Sequence, residues 1–122
     1  MEKFRFLKWK VYQDAKELFV LILNVVKKIP KEYRFELGSQ IIRASLSILL
    51  NIAEGSGKNS DRELNRFIDI SLGSLNETLA AIDVLKDTKL ITESDFNKIF
   101  KLIDEISNQL GGFKKKITSY KL

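Results

Sequence analysis

The sequence predicts an all-α protein, an up-down-up-down antiparallel four-helix bundle, and three observations carry that expectation. Apolar residues recur at three- and four-residue steps through four separate segments, the spacing that collects them on one face of a helix. The only proline is Pro30 and the glycines cluster, so chain breakers are sparse and the helices should be long. The connections are short, which makes neighbouring helices antiparallel. At 122 residues the chain is one domain, 1–122, with a short basic arm at 1–10 and a basic end at 111–122.

In the first helix Val11, Ala15, Leu18, Phe19, Ile22, Val26 and Ile29 form the stripe, and Pro30 ends it. The second runs from about Glu36 to Ala53. It is apolar around most of its circumference, and its polar residues Gln40, Arg43, Ser47, Asn51 and Glu54 fall on one narrow stripe. The third opens with "SDRE", where Ser60 caps and Glu63 reaches back as a capping box. Its stripe is Leu64, Ile68, Ser71, Leu75, Thr78, Ile82 and Leu85. The fourth starts at Thr92 or Ser94, with Glu93 and Asp95 suited to the positive end of a helix dipole. Its stripe of Phe96, Ile99, Ile103, Ile106, Leu110, Phe113 and Ile117 keeps phase across Gly111-Gly112, so the helix is expected to continue there at ~1 kcal/mol per glycine.

Composition excludes several classes. With 44% hydrophobic and 30% charged residues the chain is an ordinary globular protein. It has no cysteine and no histidine, so there is no disulfide, no thiolate nucleophile, and neither the commonest general base nor the commonest metal ligand. A di-iron bundle site needs Glu-x-x-His pairs that are absent. No cofactor, metal or enzyme activity is expected. The N-terminus lacks an apolar core of signal-peptide length, and the longest apolar stretch, "LFVLILNVV", is nine residues with Asn24 inside it, short of the ~20 that span a bilayer. The expectation is a cytoplasmic protein.

The string "GSGK" resembles the end of a phosphate-binding loop but fails its requirements. The first glycine of such a loop would fall at Ile52, the hydroxyl for magnesium would fall at Asn59, and the loop should follow a strand rather than an apolar helix. "EGSGKNS" reads instead as a helix end, with Gly55 or Gly57 in the left-handed conformation, and then the Ser60 cap.

Two features point to partners. The second helix has apolar residues on two faces, which implies a second surface buried against another copy of the chain. Arg43, Asn51 and Glu54 on its stripe are a solvated seam, a satisfied buried network or a functional contact. The net charge is +5, with nine Lys/Arg against five acids in residues 1–36 and six against four in residues 93–122. "KFRFLKWK" interleaves cations with Phe4, Phe6 and Trp9, a pattern that binds single-stranded nucleic acid, unless the rings dock on the bundle and only the cations stay wet. "GGFKKKITSYKL" adds Lys114, Lys115, Lys116 and Lys121, which grip phosphates or complement a helix C-terminus.

The stretch "SQIIRASLSILLNIAEGSGKNSDRELNRFIDISLGSLNET", with "VYQDAKEL" before it, resembles the four-helix-bundle proteins encoded by intervening sequences within bacterial 23S rRNA genes. "NIAEG" and "GSL" are its most specific marks. Leu49 stands where that family usually has proline, which softens an expected kink. Ile42 stands where a second arginine is common, and Tyr12 where tryptophan is. The resemblance implies a cytoplasmic bacterial bundle assembled as a pentameric ring with no assigned enzyme activity. A related bundle, the accessory protein of diversity-generating retroelements, binds nucleic acid beside a reverse transcriptase. The expected function is therefore a homo-oligomer that binds RNA or DNA through Lys8, Lys10, Arg43, Lys58, Arg62, Arg66, Lys114, Lys115 and Lys116, with Gln40, Ser47, Asn51 and Glu54 as a structural polar stripe. The alternative is a protein–protein assembly or adaptor module that ignores nucleic acid.

Overall fold

The computed structural model describes residues 3–121, with side chains from residue 3 to residue 116. The described chain forms four main helices, α1 (Lys10–Val26), α2 (Ser39–Ser56), α3 (Asp61–Asp87) and α4 (Glu93–Lys121), and contains no strand. A 3-10 turn, Arg5–Lys8, precedes α1. α4 runs through Gly111-Gly112 as the stripe predicts; the side chains of Ile117 and Lys121 lie outside the described residues.

Side-chain contacts fix the relative directions of three helix pairs. Lys28 Nζ lies 3.0 Å from Asp95 Oδ2 where α1 ends and α4 begins. At the other end Gln109 donates to Asp14 at 2.7 Å, and the Trp9 and Phe113 rings lie 5.0 Å apart. α2 and α3 meet through Gln40–Glu77 at 2.7 Å and Ser47–Ser74 at 2.8 Å. α3 and α4 meet through Lys86 over the Phe96 ring, at 4.3 Å, and through Lys114 with Asp69. These contacts run α1 against α4, α2 against α3 and α3 against α4 in opposite directions. The predicted stripes supply the core: Leu18, Ile22, Ile48, Leu75, Ile82, Ile99, Ile106 and Leu110 are all buried, each worth roughly 1.5–3 kcal/mol relative to exposure. Leu49 also packs into the core, and α2 passes through it without interruption.

The ends of the helices depart from expectation in instructive ways. α1 stops at Val26 rather than running to Pro30. Proline excludes the α conformation from the residue before it, so the chain tightens through Lys28 N–H to Val25 O and Ile29 N–H to Val26 O. Ile29 still enters the core. Arg34 then caps the finished helix, donating to the carbonyls of Ile29 at 3.0 Å and Lys27 at 3.1 Å. Helical backbone resumes at Lys31–Tyr33 and passes through a π-helical stretch, Arg34–Gly38, before regular α2. The extra residue in that turn rotates Gly38 onto α1, where a Cβ would lie 2.8 Å from Val26 Cγ1.

The left-handed glycine expected after α2 is corrected: no described glycine has positive φ. Gly57 ends the helix with φ −89° and ψ 0°, and the turn closes through Gly57 N–H to Glu54 O and Lys58 N–H to Gly55 O. Gly55 is needed for proximity, because a Cβ there would lie 2.9 Å from Phe67 Cβ and 3.1 Å from Leu64 Cδ1. Of the capping box at Ser60, the hydrogen bond from Glu63 N–H to Ser60 Oγ is present at 3.2 Å. Thr92, not Ser94, caps α4, accepting from Asp95 N–H at 3.0 Å. No described helix is long and apolar enough to cross a membrane.

Candidate nucleic-acid interface

The antiparallel order carries segments far apart in sequence to one end of the bundle. There the arm at residues 3–10, the α2–α3 turn with the start of α3, and the last turns of α4 lie together. Three contacts hold them. Arg5 Nε donates to Ser56 O at 3.1 Å, its guanidinium stands 5.2 Å from the Trp9 ring centroid, and Trp9 packs on Phe113.

Eight of the nine predicted contact residues arrive at this end: Lys8, Lys10, Lys58, Arg62, Arg66, Lys114, Lys115 and Lys116. Arg43 does not; it is exposed near the start of α2, away from the others. Residues 3–14, 54–69 and 111–116 hold ten Lys/Arg against five acids, whereas the opposite end, residues 27–36 and 83–95, holds six against six. The excess at this one end equals the net charge of the entire chain, +5.

Some of these cations are internally engaged. Lys10 bonds Asp14 at 2.7 Å, Lys58 stands 3.8 Å from Glu54, and Lys114 pairs with Asp69. Lys58 and Arg66 each lie 5.2 Å from the Phe67 ring. Arg62, Lys115 and Lys116 are exposed and make no ion pair among the described residues. The hydrogen bond that Lys10 donates to Asp14 raises the Lys10 pKa, so this cation keeps its charge throughout the neutral range. Partial burial works against ionisation of Asp14, but hydrogen bonds from Lys10 and Gln109 outweigh it and hold the carboxyl below its usual range.

The rings of the arm divide. Phe6 packs edge-on against Tyr12 at 4.9 Å and Trp9 against Phe113, so both are docked. Phe4 is 70% exposed and adopts a left-handed conformation with φ 57°. It borders a groove of ≈ 870 Å³ between the arm and the end of α2, lined by Lys3, Phe4, Arg5, Leu50, Glu54 and Lys58 among others. Periodicity offers no signal for this groove, which forms because the arm folds back onto α2. Leu50, 53% exposed, sits among the apolar residues of α2 and is indistinguishable from core by residue type.

The polar stripe of α2 resolves into two parts. Ser47 and Asn51 form a half-buried network with Ser74, in which Asn51 Nδ2 donates to Ser47 O at 2.8 Å, while Gln40 makes a separate, exposed bond to Glu77. Beside it buried Ser71 donates to Ile48 O at 2.9 Å, and no buried described side-chain polar atom is left unpaired. Glu54 and Arg43 are exposed, so Glu54 belongs with Lys58 and the groove rather than with the seam. No group of described acidic residues is placed to hold a metal ion.

The architecture defines an all-α, four-helix protein with a cationic end. The family model of the 23S rRNA-intervening sequence proteins matches residues 8–112, and the chain belongs to that family. Among solved structures it is similar to a protein of unknown function from the S23 ribosomal protein family of Bacteroides thetaiotaomicron VPI-5482. The identity is 29% and the TM-score 0.76, over 82% of this chain and 94% of that one. No curated protein matches.

Proposed function

We propose that this protein is a non-enzymatic, homo-oligomeric bundle, a pentameric ring in the cytoplasm, that binds RNA or DNA through phosphate contacts at its basic end. The observation that carries the reading is the convergence of the arm, the α2–α3 turn and the end of α4, which places the whole charge excess of +5 on one surface. Cations grouped this way displace the counterions condensed on a polyanion, and that release drives binding. Self-association is supported by the outer face of α2 on the N-terminal side of the groove, where Ile42 and Leu46 remain half-buried within one chain.

The test is a titration of labelled nucleic acid at increasing salt. Six to ten phosphate contacts predict a loss of about 10³–10⁵ in affinity between 50 and 200 mM salt. Replacing Lys114, Lys115 and Lys116 by alanine is expected to lower the slope of log K against log salt by about two to three. Replacing Lys31 and Lys89 at the opposite end is expected to change it little. No binding to single strands or duplexes at ~50 mM salt, where phosphate binding is favoured, overturns the proposal.

A second reading, a protein-binding adaptor, is supported by the opposite end, where Tyr33, Leu37 and Val84 line a shallow apolar groove and Phe35, in the same turn, is 82% exposed. Under that reading the protein ignores nucleic acid, and Phe35→Asp rather than lysine replacement abolishes partner capture.

A further inference from the structure

We infer that the groove between the arm and α2 holds an unstacked base, so that the protein selects single-stranded nucleic acid over duplex. The inference rests on the nucleic-acid reading of the basic end and adds to it the part of the ligand that is recognised. Phosphate contacts alone favour the more densely charged duplex; a preference for the single strand requires a surface for the face of a base. Such a surface is present. The Phe4 ring is 70% exposed on one wall of the groove, and Leu50, 53% exposed, together with Ala53 supplies apolar surface on α2. Lys3 and Lys58 also line the groove, which places an aromatic face and cations within one opening, the combination that single-strand sites use.

The arm's other rings show that this exposure is particular to Phe4. Phe6 and Trp9 are satisfied by Tyr12 and Phe113, and Arg5 pins the arm through its bond to Ser56 O. Phe4, by contrast, holds a left-handed backbone that bulky residues avoid, closed by Leu7 N–H to Phe4 O at 3.1 Å. The turn directs the ring at the groove rather than onto the core. The volume, ≈ 870 Å³, is within the 300–1,000 Å³ typical of sites for small organic groups. A duplex hides its base faces in the stack and meets only the cations.

The experiment compares fluorescence anisotropy of a labelled single strand and of the same strand in a duplex, at ~50 mM salt, with wild type, Phe4→Ala, Phe4→Leu and Phe4→Tyr. Wild type is expected to bind the single strand at least about tenfold more tightly. Phe4→Ala and Phe4→Leu are expected to lose about tenfold on the single strand, with duplex binding unchanged, while Phe4→Tyr retains wild-type affinity. Because Phe4 is exposed, circular dichroism should show all three variants folded. Equal wild-type binding of both forms, or single-strand binding indifferent to Phe4, overturns the inference and leaves the phosphate reading standing. Binding of neither form by wild type overturns both.

Discussion

Asp14 and Asp95 tie α1 to α4 from opposite ends of the same helix pair. Partial burial works against ionisation of Asp95, but hydrogen bonds from Lys28 and Thr92, with the Lys28 charge, prevail and depress its pKa as Lys10 and Gln109 depress that of Asp14. A carboxyl with a lower pKa in the folded state stabilises the fold fully above its unfolded value, about 3.9, and loses that contribution as pH falls through the folded value. Resistance to urea is therefore expected to fall below about pH 4, and Asp14→Asn with Asp95→Asn should flatten that acid limb at a cost of about 1 kcal/mol each near pH 7. Lys10 has the opposite sign: its contribution is complete below 10.5 and is lost as pH rises through its raised folded value. Residue type and spacing predict the cations and the rings of the arm, but not which ring stays free. Phe4, Phe6 and Trp9 carry the same pattern, and only the docking partners Tyr12 and Phe113, one of them more than 100 residues away along the chain, separate them. Asp14–Gln109 is invisible in sequence for the same reason, since it joins two helices whose relative rotation is set by packing.

The helices themselves are legible because each has a strong apolar period and three of the four have an end marked by its own chemistry: Pro30 after α1, Ser60 before α3 and Thr92 before α4. Their remaining ends are not, because π-helical winding at Arg34–Gly38 and the glycine contacts depend on a neighbouring helix. The glycines thus separate into two groups with opposite expected responses to alanine. Gly55→Ala places a methyl 2.9 Å from Phe67 Cβ and should destabilise by about 1–3 kcal/mol, as overpacking does. Gly111→Ala and Gly112→Ala meet nothing within 4 Å and should each stabilise by about 0.5–1 kcal/mol through helix propensity. Lys89 closes α3 with φ 63°, a conformation that costs a side chain but not glycine. Lys89→Gly is expected to raise stability by a comparable amount, despite the loss of a residue that favours helices elsewhere. Thermal melting of the four variants checks all these signs, with roughly 3–6 °C expected per kcal/mol at this chain length.

At the scale of the molecule, the uneven run of charge along the chain is visible in sequence, but its meaning depends on topology. Two basic termini would lie at opposite ends of a three-helix chain; with four antiparallel helices they meet. Light scattering on a sizing column should return several times the monomer mass of 14.1 kDa; a monomer would refute the assembly read from α2. The segregation of charge also has an orientational effect. Antiparallel neighbours cancel one another's backbone dipoles, so the side chains set the electric moment of the bundle, and that moment points along its long axis. In the field of a polyanion such a body feels a torque before it touches anything, and arrives end-on. Salt should therefore slow its encounter more than it hastens its departure, because screening removes the alignment as well as the attraction.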